Sequence, residues 1–113
     1  MPKLILSKNL LFEVTDIFGK RIRTSKNWWL HIVKDKHQDI SDKLELVKDT
    51  IGKPDEVRQS EKKSYIYLYY KKWVQFWICV VTRHLNGDGF LMTAYITTKT
   101  KKKGNLLWQK DQK

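Results

Sequence analysis

Between residues 25 and 51 the apolar positions recur every three or four residues, which is the period of a helix face. Residues 25–37, SKNWWLHIVKDKH, predict one helix with Ser25 as its N-cap. Its apolar stripe is Trp28, Trp29, Ile32 and Val33, while Lys26, Lys34 and Lys36 point elsewhere. Residues 42–51 predict a second helix: Leu44, Val47 and Ile51 share a face, and Asp42 with Glu45 fits a capping box. Gly52 and Pro54 stop it. Ahead of both helices, 10–16 and 20–23 read as short strands around a turn at Phe18-Gly19.

After Pro54 the period falls to two. Residues 56–60 (EVRQS) predict a short edge strand, and 64–71 and 74–83 a hairpin turning at Lys72-Trp73. Asn86-Gly87-Asp88-Gly89 is a turn signal, and 90–98 the last strand. Alternation aims Phe90, Met92, Ala94 and Ile96 at the helices and Leu91, Thr93, Tyr95 and Thr97 away from them. Val74, Phe76, Ile78, Val80 and Thr82 likewise oppose Gln75, Trp77, Cys79, Val81 and Arg83, and Arg58 shares a face with Ser60. The fold class expected is α+β, with two N-terminal helices packed on one face of an antiparallel sheet of about four strands. Residues 99–113 read as a basic tail with one apolar anchor, Leu106, Leu107 and Trp108.

Composition adds a partner to this picture. At 113 residues, 41 % hydrophobic and 31 % charged, the chain reads as a single globular domain over 1–113. Its 23 Lys and Arg exceed 12 acids by 11, so the partner expected is a polyanion, RNA first. The one cysteine, Cys79, lies in an apolar run and reads as a buried, inert thiol. One Cys and three His argue against structural zinc, and no metal or cofactor is expected. No apolar run approaches 18 residues, so no membrane partner is expected, and the chain reads as soluble and cytoplasmic.

The chemistry open to such a chain is narrow. Its carboxylates are scattered, which disfavours a two-metal site, and it has no Gly-rich phosphate loop or nucleophile elbow. Metal-independent RNA cleavage needs only a base, an acid and cations, because the attacking group is the substrate's own 2′-OH. Histidine is the side chain suited by type to proton transfer near neutral pH, and the chain has three. His31 has Asp35 four residues on, His37 ends the same helix, and His84 reads as a surface residue before the turn.

The stretch from His31 through His37, KPDEVRQS (53–60), LYYKK (68–72), the run CVVTRHLNGDGFLMTAYITTKTKKKG (79–104) and Trp108 together resemble the phage-associated barnase–EndoU–colicin–RelE-like nuclease domains, the BECR fold. The resemblance spans about residues 27–108, and its most specific part is 87–108. It implies two helices on a four-stranded antiparallel sheet, and a toxin-like or effector-like ribonuclease with a cognate inhibitor as a possible partner. The site it implies comprises His31, His37, Arg58, Ser60, Thr93, Tyr95 and Thr97 as catalytic residues. His31 is the base or acid and His37 its second-choice partner; Arg58 and Lys99 neutralise phosphate, and the hydroxyls orient it. The substrate-binding set expected is Tyr69 or Tyr70 with Arg83, Lys99 and Lys102. The chain departs from the pattern at Gln38-Asp39, where Pro-Glu usually follows the histidine, and at Thr98, where an acid is common. Two other classes stand beside the ribonuclease: a non-catalytic RNA-binding module, and an interaction module for an acidic protein.

Overall fold

A computed structural model describes residues 9–98 and 104–110. Strands β1 (Leu10–Thr15) and β2 (Arg21–Ser25) form an antiparallel hairpin. Helix α1 (Lys26–His31) follows without a break and runs into a π-helical turn, Ile32–Lys36, and a 3-10 turn, Gln38–Ile40. Helix α2 (Leu44–Gly52) leads to β3 (Glu56–Gln59), β4 (Ile66–Trp73), β5 (Phe76–Leu85), β6 (Asp88–Thr97) and β7 (Asn105–Gln109).

The sheet differs from the expected architecture. The described residues form one seven-stranded mixed sheet, in the order β1-β2-β6-β5-β4-β3-β7, rather than two helices on four antiparallel strands. Strands β3 to β6 form the antiparallel meander that the period-two pattern outlines. The additions lie at its two edges. β2 pairs with β6 in parallel over Arg21–Arg23, where Arg23 Nη2 meets Asp88 Oδ1 at 2.6 Å. β7 pairs with β3, so part of the supposed tail is a strand. The short helices have local causes. Ser25 caps α1 as expected, its hydroxyl accepting from the Trp28 N–H at 3.1 Å. Beyond His31 the α-helical pattern gives way to the π-turn, in which the His37 N–H reaches the Ile32 carbonyl at 2.8 Å. The capping box at Asp42 is absent: α2 starts two residues later, and the Asp42 carboxylate bonds Lys43 Nζ at 2.9 Å.

Helices and sheet meet in a core that includes Ile22, Ile32, Val47, Ile51, Val57, Ile78, Val80 and Ala94, all with no exposure. The opposite sheet face carries a smaller cluster, Leu68, Tyr70 and Cys79, flanked by Trp77, Val81 and Tyr95. Two register details decide which side chains reach which face. The β4–β5 turn is Val74-Gln75, two residues beyond Lys72-Trp73, with Trp73 paired to Phe76. In β6, Val81 pairs with Thr93 but Thr82 with Leu91, so Met92 is the extra residue of a bulge. The bulge reverses the faces before it. Leu91, expected to point away, enters the helix-side core, and Phe90 lies in register with Arg83 on the other face.

Candidate nucleic-acid interface

On the face away from the helices, one cross-strand row reads Tyr95, Cys79, Tyr70, Glu56, each in register with the next. Cys79, Tyr70 and Glu56 are buried, and burial together with the neighbouring Cys79 and Tyr70 pushes the Tyr95 phenol well above its usual range. The adjacent row is Thr93, Val81, Leu68, Arg58. Arg58 Nε donates to the Glu56 carboxylate and Nη1 to the Gly104 carbonyl at 2.9 Å. On this face Thr93 Oγ1 and Arg83 Nε are buried without a hydrogen-bond partner among the described residues, and the Arg83 guanidinium sits 5.2 Å from the Tyr65 ring centre. Thr97 lies opposite Trp77 at the end of β6. The ring of His37 lies against Tyr95, 5.5 Å between centres.

Thus Arg58, Tyr70, Arg83, Thr93, Tyr95 and Thr97 share one face, and His37 reaches its Tyr95. Ser60 and Tyr69 lie apart from them. The Ser60 hydroxyl accepts the N–H groups of Lys62 and Lys63, both at 3.3 Å, and so shapes the β3–β4 turn. Tyr69 points into the helix-side core with no exposure. Lys99 and Lys102 lie outside the described residues.

His31 belongs to a separate arrangement on α1. Its Nδ1 meets Asp35 Oδ2 at 2.9 Å, and its ring is tilted 38° against Trp28 with centres 4.8 Å apart. The carboxylate favours the tautomer with the proton on Nδ1, which leaves the lone pair on Nε2. Trp28 is 39 % exposed, is tied to β6 by Nε1 donating to the Met92 carbonyl at 3.0 Å, and has Lys36 Nζ 5.7 Å from its ring centre. The π-turn closes through the His37 N–H to the Ile32 carbonyl at 2.8 Å, and such turns recur at functional sites. It brings an imidazole, a carboxylate, an exposed indole and a lysine within one stretch of helix.

Sequence reasoning missed a buried polar cluster on the helix side. Tyr69 OH donates to Asp16 Oδ2 at 2.5 Å, while Asp16 Oδ1 accepts the N–H groups of Phe18 and Lys20 at 2.9 and 2.8 Å. Burial first, then the Asp16 carboxylate, raise the Tyr69 phenol far above its ordinary range, so it stays a proton donor. In β5 the Thr82 hydroxyl meets His84 Nε2 at 2.8 Å, and the His84 ring packs on Tyr67 at 4.3 Å. His84 is therefore half-buried rather than a free surface residue, and burial lowers its pKa from 6.5 to about 4. The only sequence signal was the polar side chains of Thr82 and His84 at period two on the helix-facing side of a strand.

The sign of the resulting pH dependence follows from which state holds the proton. Between about 6.5 and about 4 the unfolded chain protonates His84 and the folded chain does not. Stability is then full above that window and falls as pH drops through it, by about 2 kcal/mol because solvent still reaches part of the ring. Urea unfolding across this range should show the loss, and His84→Gln should flatten it relative to wild type. An unchanged slope in the variant would assign the pH dependence to other groups.

Comparison with protein-family models, curated proteins and solved structures finds no match to this chain. Among the described residues no group of three or more His, Cys, Asp or Glu could hold a metal ion, and no helix is long and apolar enough to cross a membrane.

Proposed function

We propose that this chain binds RNA and cleaves it without a metal, using the 2′-OH of the substrate as nucleophile. The observation that carries the reading is the His31–Asp35 pair packed on the exposed Trp28. Trp28 and Lys36 provide an aromatic edge and a cation for a single-stranded segment. His31 Nε2 accepts the 2′-OH proton as the O2′–P bond forms. The P–O5′ bond breaks, and the departing 5′-oxygen takes a proton from a second group, for which His37, six residues further along the chain, is the candidate. The products are a 2′,3′-cyclic phosphate and a 5′-hydroxyl. The formal charge of +11 supports RNA as the polyanion, and Lys34 and Lys36 flank Asp35 in the same turn.

Purified protein is expected to cleave RNA in EDTA and to spare DNA. His31→Ala should lower the rate by at least about a hundredfold, the scale of a lost general base. Its melting temperature should barely move, because the His31 side chain is 41 % exposed. A requirement for Mg²⁺, or DNA cut equally well, would reject the mechanism.

One observation favours a second reading, a non-catalytic RNA-binding module. Arg58, one of the two cations expected at the phosphate, already donates to Glu56 and to the Gly104 carbonyl. That reading predicts RNA affinity that falls steeply with salt and no turnover. Competition by an acidic protein rather than by RNA would favour an interaction module instead.

A further inference from the structure

The tip of the β4–β5 hairpin breaks the rules that the rest of the sheet keeps. A two-residue hairpin turn needs a left-handed first residue, which Asn, Asp or Gly supplies without strain. The β5–β6 turn complies, with Asn86 at φ +52° and Gly87 at φ +85°. The β4–β5 turn instead places Val74 at φ +51°. A β-branched residue is strained there. Burial does not offset that strain, because Val74 is 73 % exposed. Neither local conformation nor the core accounts for a valine at this apex, so its use lies outside the fold.

Its surroundings indicate what it meets. Trp73 and Phe76 stack beneath it with centres 6.2 Å apart, and Trp77 follows on β5. Lysine ammoniums cover two of these rings, Lys43 Nζ 5.2 Å from the Trp73 centre and Lys72 Nζ 5.5 Å from that of Trp77. Lys71 Nζ lies alongside, bonded to the Lys53 carbonyl at 2.8 Å. Asp42 pairs with Lys43 Nζ at 2.9 Å, and Asp55 accepts the Lys72 N–H at 2.7 Å while keeping its charge, so Lys43, Lys71 and Lys72 exceed these two acids by one. The tip is thus an aliphatic apex on an aromatic collar ringed by lysines.

We propose that this hairpin tip adsorbs to the surface of an anionic lipid bilayer. Val74 enters the boundary between headgroups and acyl chains, the indoles sit at headgroup level, and the lysines meet lipid phosphates. Single-stranded nucleic acid fits the tip less well. A base would have to displace Lys43, Phe76 or Lys72 from the rings it stacks on, and an aliphatic apex offers it no π face. That no helix among the described residues could span a membrane does not bear on adsorption, which needs only a shallow apolar contact.

Co-sedimentation with vesicles tests this. Wild type is expected to pellet with vesicles of equal parts phosphatidylcholine and phosphatidylglycerol and to stay in solution with phosphatidylcholine alone. Val74→Asp should weaken the partition about tenfold, the scale of losing one buried aliphatic side chain. Val74→Gly should weaken it too while raising the melting temperature, since glycine relieves the turn. The proposal is overturned if wild type ignores the anionic vesicles, or if Val74→Asp pellets like wild type. It is also overturned if Val74→Asp lowers RNA affinity as much as vesicle binding, or abolishes a concentration-dependent dimer in sedimentation velocity. Those last results would make the tip an RNA-binding or self-association surface.

Discussion

Asp16→Ala is expected to destabilise the fold by about 3–4 kcal/mol, because the change strands three donors at once. The Asp16 carboxylate accepts from the Phe18 and Lys20 amides and from the Tyr69 hydroxyl, and Tyr69 has no exposure. A buried phenol without an acceptor carries its full desolvation cost, and the β1–β2 turn loses the side chain that shapes it. Tyr69→Phe should cost less, about 1.5–2 kcal/mol, since the carboxylate keeps two backbone donors. The double variant should be more stable than the sum of the two losses implies, because no phenol is then left unpaired. Urea unfolding of the three variants measures this coupling. A loss below about 0.5 kcal/mol for Asp16→Ala would mean that water replaces the carboxylate, and the cluster is then no anchor.

Gly89→Ala is the second substitution with a large expected effect, about 2–3 kcal/mol from overpacking. A Cβ at Gly89 would lie 2.4 Å from Ile22 Cδ1, 3.0 Å from the Arg21 carbonyl oxygen and 3.1 Å from His84 Cε1. The Arg21 oxygen belongs to the backbone of β2 and cannot retreat without opening the short parallel contact between β2 and β6, and the Ile22 methyl, on a side chain with no exposure, must turn within packed surroundings. Gly87→Ala is the contrast: its Cβ would meet open space, and only the left-handed backbone at φ +85° opposes it. That variant should lose about 1 kcal/mol. Ile22→Val in the Gly89→Ala background removes the atom nearest the clash and should recover part of the stability. If Ile22→Val instead adds its own loss in full, the collision is not with that methyl.

These two sites also explain what could be read along the chain and what could not. The meander from Glu56 to Thr97 was legible because its residues alternate over adjacent strands, so periodicity and pairing carry one message. The edges were not. β7 looks like a basic tail because its five residues follow a lysine run, and an edge strand so short has no alternation to display. β2 shows nothing of its parallel partner, which lies more than sixty residues on, as the Arg23–Asp88 separation of 65 records. Val74 hid its turn because valine is a strand former, and the Met92 bulge cannot be seen in a strand whose residues on both faces are apolar or hydroxylic.

The candidate residues divide along the same line. Thr93, Tyr95 and Thr97 follow the bulge and share the face expected of them, with Arg58 on it two strands beyond β5. Tyr69 and Tyr70 are neighbours on one strand, so alternation must send them to opposite faces, and only one can join that set. The pairing of His31 with Asp35 was visible at its four-residue spacing. The link from Asp16 to Tyr69 spans 53 residues and two different elements, and no local pattern announces it.

The parallel seam between β2 and β6 also sets an order of assembly during synthesis. The first hairpin leaves the ribosome long before Asp88–Phe90, the segment it must dock on, has been made. Until then one rim of that hairpin has no neighbour, and closing so large a loop is slow compared with zipping up the meander. Newly made chains should therefore be most prone to mispair at β2, and a chaperone that shields strand rims would act there first.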